Sequence, residues 1–173
     1  MRDEEFFTLI ILIICAVIFV STLIYFGVKR VKLKDKIKKQ IKLLASNNLE
    51  ITTEEFFAIK KKSFGGKGSP SFAKTQNFAG VYILYNATKN IYYVGQGKGV
   101  LDRINAHFTG RGKGDIYADY KYGDIFTIRT IALAGSGYTS LNELERDTIA
   151  TYHAYTLGYN KTKGNKDKNI NMT

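Results

Sequence analysis

Apolar positions follow three different patterns along the chain. From Phe6 to Val28 the run "FFTLIILIICAVIFVSTLIYFGV" contains no charged residue. As a helix rising about 1.5 Å per residue it would extend roughly 35 Å, enough to cross a hydrocarbon core of about 30 Å with modest tilt. After Val28 the pattern changes: Leu33, Ile37, Ile41 and Leu44 recur at helical spacing with lysines on the other faces, which predicts a basic amphipathic helix. "SNN" at 46–48 breaks it, and Thr52-Thr-Glu-Glu55 reads as a capping box for a short helix through Phe56, Phe57 and Ile59. Residues 60–77, "KKKSFGGKGSPSFAKTQN", are rich in Lys and Gly, hold the single proline Pro70, and read as a linker.

From Phe78 onward the pattern is that of a compact domain. "AGVYILYN" and "IYYVGQG" are strand-like runs on either side of Ala87–Asn90, a hairpin. "VLDRINAHF" has helical spacing through Leu101, Ile104 and Phe108; "TGRGKGDIYADYKYGD" reads as a long loop; "IFTIRTIALA" is a third strand. Ser140 to Glu143 is a second capping box, opening a helix "LNELERDTIATYHAYT" that stops at Gly158. The order predicts an α/β fold: a small three-stranded antiparallel sheet flanked by helices, preceded by one transmembrane helix and a basic amphipathic helix. The expected boundaries are 1–28 for the anchor, 29–76 for the basic helix and linker, 77–165 for the domain and 166–173 for a polar tail.

Charge sharpens this division. The chain carries +11 in total, of which residues 29–76 hold +9 and residues 77–165 only +3, while residues 1–28 sum to −2. A basic excess implies a polyanionic partner, nucleic acid or an anionic membrane surface. Because eight basic residues between Lys29 and Lys42 directly follow the apolar run, the sequence predicts a single-pass protein of the cell membrane. Its N-terminus would lie outside and everything after Val28 in the cytoplasm. Residues 6–28 would contact the lipid bilayer and residues 29–44 its anionic headgroups, with a solvated spacer as the alternative for the latter. A cleaved signal peptide would want a basic start and a shorter apolar core, whereas this chain opens "MRDEE". The single cysteine, Cys15, lies in the apolar run, which excludes a disulfide framework and a cysteine zinc site; two histidines are too few for a metal cluster.

The candidate chemistry lies in the hairpin and the two later helices. Gly80-Val-Tyr82 and Tyr93-Val-Gly95 fall on neighbouring strands, Arg103 follows ten residues after Tyr93, and His107 stands one helical turn further on the same face. Glu145 lies within an apolar stripe of Leu141, Leu144, Thr148, Ile149 and Tyr152, and Asn160 comes fifteen residues later. A carboxylate in such a stripe is costly unless a cation pairs with it, either a metal or Arg103. "GQGKG" at 95–99 follows a strand and opens a helix, but it lacks both the dinucleotide spacing and the Gly-Lys-Ser/Thr ending of a P-loop, so no nucleotide cofactor is expected. Arg111 and Lys113 are candidates for phosphate contact, and Tyr117, Tyr120 and Tyr122 for base stacking or for packing on the domain.

These residues and spacings resemble the GIY-YIG nuclease family over about residues 77–165, with Val in place of Ile in both triplets. The resemblance implies a divalent-metal-dependent endonuclease that hydrolyses phosphodiester bonds in DNA, using one Mg²⁺ or Mn²⁺ per site with Glu145 as its ligand. It further implies Arg103 on the phosphate, Tyr82 as general base, and Tyr93 orienting the water or bonding the phosphate. His107 would serve as a proton shuttle or phosphate contact, and Asn160 would fix local backbone. Tyr85, Tyr92 and His153 fall outside the signature and read as packing residues. A tether would suit DNA met at the membrane, as in defence against incoming DNA or exclusion of competitors by a phage or mobile element. The alternative is a catalytically idle module that anchors DNA at the membrane.

Overall fold

The computed structural model describes residues 2–62 and 71–165. Residues 63–70 of the expected linker, Pro70 among them, and the polar tail 166–173 lie outside the described residues. The chain divides into two units, Met1–Lys39 and Gln40–Thr173.

The first unit is the N-terminal part of α1 (Arg2–Ser46), a single helix where the sequence suggested two. No proline, and no glycine after Gly27, interrupts the passage from apolar to basic residues, and Lys, Leu and Ile all propagate a helix. Its most apolar stretch, with mean hydropathy 3.0, is long enough to cross a membrane and buries nothing against protein.

The second unit begins with the last turns of α1. Ile41 and Ala45 are fully buried there. The stripe expected to rest on lipid headgroups is therefore divided: Ile41 belongs to the core of this unit, as does the neighbouring Ala45, while Leu33 is exposed. Next come β1 (Ile51–Thr52), α2 (Thr53–Lys61) and the single turn α3 (Phe72–Thr75). Thr52 caps α2 in both directions, accepting from Glu55 N–H while the Glu55 carboxylate accepts from its own N–H. The hairpin is β2 (Gly80–Asn86) and β3 (Ile91–Gly97), followed by α4 (Val100–Phe108), α5 (Gly114–Lys121), β4 (Phe126–Ala132) and α6 (Leu141–Thr151).

The sheet is antiparallel and has four strands, not three, in the order β1-β4-β2-β3. The extra strand is two residues long and is held from outside its own length. Glu50 accepts from Arg129 Nη2 at 2.6 Å and from the Thr127 hydroxyl, and Asn48 Nδ2 donates to Thr130 O at 2.7 Å. Side chains alternate between two faces. On the first, Tyr82, Leu84, Phe126 and Ile128 pack under Phe56 of α2, Val100, Ile104 and Phe108 of α4, and Ile116 of α5. The second face, with Ile83, Tyr85, Tyr92 and Arg129, is approached by α6, whose Tyr152 ring lies 5.0 Å from Tyr92.

The region read as a long loop contains α5. Two of its three tyrosines pack against the domain: Tyr120 lies edge-on to Phe108 at 5.0 Å and Tyr117 lies against Gly110, whereas Tyr122 is exposed. Helix α6 ends earlier than its apolar pattern suggests, because His153 adopts a left-handed φ of 54° that cannot continue a helix. Beyond it the chain rounds the outer edge of β3, where Tyr159 N–H bonds Tyr92 O at 2.9 Å and the Tyr159 ring joins the first-face core.

Burial of Ile41 separates a core role from a lipid-facing one. Ile41→Ala should lower the unfolding free energy of the detergent-solubilised protein by about 2–5 kcal/mol in chemical denaturation. An unchanged midpoint would return Ile41 to the surface.

Candidate active site

The first-face end of the β2–β3 hairpin is shaped by what one residue lacks. Tyr82 pairs across the strands with Gly95, and its ring lies over that glycine: a Cβ at position 95 would overlap the Tyr82 hydroxyl and sit 2.5 Å from Cζ. So placed, Tyr82 is fully buried and its Oη lies 2.9 Å from His107 Nε2. Tyr93, on the same face and half-buried, brings its ring centroid to 6.1 Å from Tyr82 and 4.9 Å from His107. The second triplet glycine is thus there for Tyr82, not for turn geometry.

Helix α4 supplies the next two groups. Its N-terminus is fixed by Asn77, whose Oδ1 accepts from Leu101 N–H at 3.0 Å while Nδ2 donates to Asp102 at 2.7 Å. Arg103 is exposed, and its stem lies where a side chain at Gly97 would be: a Cβ there would approach Arg103 Cγ to 2.8 Å. His107, one turn on, is buried. Its Nδ1 accepts from Lys113 N–H at 3.0 Å, and the Lys113 ammonium stands 5.7 Å from the centre of the Tyr93 ring.

Glu145 reaches the same end of β3 from α6. It is 8% exposed, and its Oε2 accepts from Gln96 Nε2 at 3.0 Å and Asn165 N–H at 3.5 Å. Gln96 spends its second amide hydrogen on Asn142 Oδ1 at 2.6 Å. Asn160 grips the backbone between Tyr93 and Gly95: its Oδ1 accepts from Val94 N–H at 2.9 Å and its Nδ2 donates to Val94 O at 2.8 Å. Two tyrosines, a histidine, an arginine and a carboxylate therefore surround the glycine-bearing end of one edge strand.

Residues 78–160 match the model of the GIY-YIG catalytic domain. This part of the chain is a GIY-YIG domain. No curated protein and no solved structure matches the chain.

In this GIY-YIG domain burial sets the protonation of each group. It pushes the Tyr82 phenol well above its ordinary value near 10; the neighbouring Tyr93 adds to this, and Arg103 opposes it. Burial also raises Tyr93 and Glu145, with Gln96 the chief opposing influence on the carboxylate. It lowers His107 to about 4, with the Arg103 and Lys113 charges acting in the same sense. The ring is therefore neutral at pH 7. Because Nδ1 already accepts from Lys113 N–H, the proton resides on Nε2 and is donated to Tyr82 Oη. Neutral His107 has no lone pair left to receive a proton from Tyr82.

The residues present fit a hard divalent cation. Glu145 is a nearly buried carboxylate that accepts from the neutral amides of Gln96 and Asn165, while the charges of Arg103 and Arg146 act on it less than those amides do, so the cost of its burial is left for a further cation to offset. Among the described residues no cluster of three acidic, histidine or cysteine side chains gathers around it. One carboxylate with water completing the shell is the kind of site Mg²⁺ accepts, since it keeps several of its waters.

Gln96 and Asn77, and the bond from Lys113 N–H to His107, escaped the sequence reading, in which Lys113 is a candidate phosphate contact. A polar side chain inside the otherwise apolar run of β3 was the available signal for Gln96; the other two act through hydrogen bonds that no spacing reveals.

A folded His107 near 4, against 6.5 for the unperturbed group, holds its proton less tightly than in the unfolded chain. It contributes stability that is complete above about 6.5 and is lost as pH falls toward about 4. The thermal unfolding midpoint should fall across that window, and His107→Asn should fall less steeply over the same range. Parallel slopes would mean that His107 is not buried as neutral imidazole.

Proposed function

We propose that the chain is a membrane-tethered endonuclease that hydrolyses phosphodiester bonds in DNA with the help of one Mg²⁺ or Mn²⁺, its GIY-YIG domain facing the cytoplasm. The observation that carries this reading is the gathering of Tyr82, Tyr93, His107, Arg103 and Glu145 at one end of β3 in a domain of a nuclease family. In this proposal Arg103, exposed and free of a carboxylate partner among the described residues, holds the scissile phosphate through its forked guanidinium. A divalent cation on Glu145 would supply the positive charge that offsets the growing negative charge on the phosphate and the leaving oxygen.

Tyr82, once its own phenol proton has been released to solvent, takes the proton of the attacking water. Burial keeps its phenol protonated in the free protein, so the base is revealed when cations and substrate assemble nearby. His107 is a positioning residue: its Nε2–H points at Tyr82 Oη and favours the phenolate. Asn160 acts through backbone, holding Val94 so that Tyr93 and Gly95 keep their register. A second reading gives the base role to Tyr93, because Tyr93 is half-buried while Tyr82 is fully enclosed.

Incubation of the purified protein with supercoiled plasmid and Mg²⁺ tests both readings. Tyr82→Phe should cleave at least ~100-fold more slowly, the usual scale for losing an acid–base group, with a smaller loss for Tyr93→Phe. The reverse order would move the base to Tyr93. Glu145→Ala should bind DNA and fail to cleave it; full activity in that variant, or in excess chelator, would eliminate the metal. Binding without cleavage by the wild type would leave an anchoring module for DNA.

The cytoplasmic placement rests on the basic residues that follow Val28. Protease added to intact cells should leave a C-terminal tag untouched, and digestion of that tag would reverse the topology. Contact of residues 29–39, the part of the basic stretch outside the second unit, with anionic headgroups, and a role in defence or in exclusion by a mobile element, belong to the same proposal.

A further inference from the structure

We propose that the second face of the sheet carries a binding site for a phosphate-bearing ligand of nucleotide size, separate from the cleavage site. A cavity of about 360 Å³ opens there between the strands, Tyr152 at the end of α6 and Lys42 in the last turns of α1. Tyr82 and Tyr93 point to the opposite face and none of Arg103, His107 and Glu145 lines the cavity, so an occupant would not touch the groups assigned to hydrolysis.

The lining is built for an anion. Arg129 is aimed by Glu50, whose Oε2 accepts from Nη2 at 2.6 Å while its other oxygen is occupied by Thr127. A guanidinium has five N–H donors, and this contact uses only part of them. Lys42 makes no ion pair among the described residues. Lys42 and Arg129 against Glu50 leave one net positive charge. The hydroxyls of Tyr92 and Tyr152, both half-buried, have no hydrogen-bond partner among the described residues. Burial raises the pKa of both, so they stay neutral donors at pH 7. Two cations and two unspent hydroxyls therefore line one pocket.

Aromatic faces occupy the rest. The Tyr85 and Tyr92 rings stack at 4.6 Å and Tyr152 lies 5.0 Å from Tyr92; the Tyr85 hydroxyl is already bonded to Asn90 at 3.0 Å. Tyrosine rings beside cations suit a base attached to a phosphate, since any nucleobase can stack on such a surface. The volume falls within the range of small-ligand pockets. The ligand chemistry is thus a nucleotide, either free or at the end of a DNA strand.

The chain has twelve tyrosines and no tryptophan, so tyrosine fluorescence of the detergent-solubilised full chain can follow binding. Titrations in excess chelator, where cleavage cannot intervene, would use dAMP, inorganic phosphate, and a short oligonucleotide with and without a 5′-phosphate. Saturation by dAMP is expected, at lower concentration than by inorganic phosphate. Lys42→Ala should weaken dAMP roughly tenfold or more, Tyr152→Phe several-fold, and Tyr93→Phe not at all. The same sensitivity to Lys42→Ala for the 5′-phosphorylated oligonucleotide identifies a strand end as the source; its restriction to dAMP identifies a free nucleotide. Absence of saturation below about 1 mM dAMP, equal affinity for phosphate and dAMP, or wild-type affinity in both Lys42→Ala and Tyr152→Phe would overturn the proposal. Plasmid cleavage by Lys42→Ala should equal that of wild type, which keeps this site distinct from the nuclease reading.

Discussion

One aromatic ring lying across a strand that has no side chain beneath it sets the geometry of this domain. The cross-strand pairing of Tyr82 with Gly95 lets the ring descend onto β3, which buries it and carries its hydroxyl to His107. Two residues on, the absence of a side chain at Gly97 admits the stem of Arg103. Val94, between Tyr93 and Gly95, is gripped by Asn160, so the strand cannot shift without breaking two hydrogen bonds. A one-residue slip would move every side chain to the wrong face, and the pairing of Tyr82 with a glycine would be lost.

Desolvation is the common electrostatic theme at this end of the sheet. It holds the phenols protonated, the imidazole neutral and the carboxylate weakly acidic, so the protein concentrates polar groups there without balancing their charge. Arg103 is the cation whose field reaches all four. Glu145 is steadied by amides, which orient a carboxylate without neutralising it. Positioning is in this way separated from charge compensation, which neutral amides do not supply.

Much of the fold could be read from local pattern. The hairpin and α4 follow from period-two and helical spacing, and the side-chain caps of Thr52 and Ser140 open helices where the sequence placed them. Three of the failures share a cause: each depended on partners distant in sequence. Strand β1 is too short to show a period and is held by Glu50 on Arg129. Helix α5 has one fully buried apolar residue, Ile116, and draws further support from Tyr120 against Phe108. For Ile41 the period correctly marked a covered face but could not say whether lipid or protein covered it. The signature residues were legible as a set because their spacing joins two strands and two helices. Gln96 was not, since its partners Asn142 and Glu145 lie some fifty positions away.

The grip of Asn160 on Val94 has a consequence for how copies of the protein meet. An outer strand normally offers a row of unpaired amide and carbonyl groups, an invitation for another sheet to join. Here a side-chain amide imitates a peptide unit at Val94, and Tyr159 occupies the carbonyl of Tyr92. The opposite margin ends in a strand of two residues, too short to template a neighbour. Blunting both margins keeps encounters between copies of the domain from growing into continuous sheet.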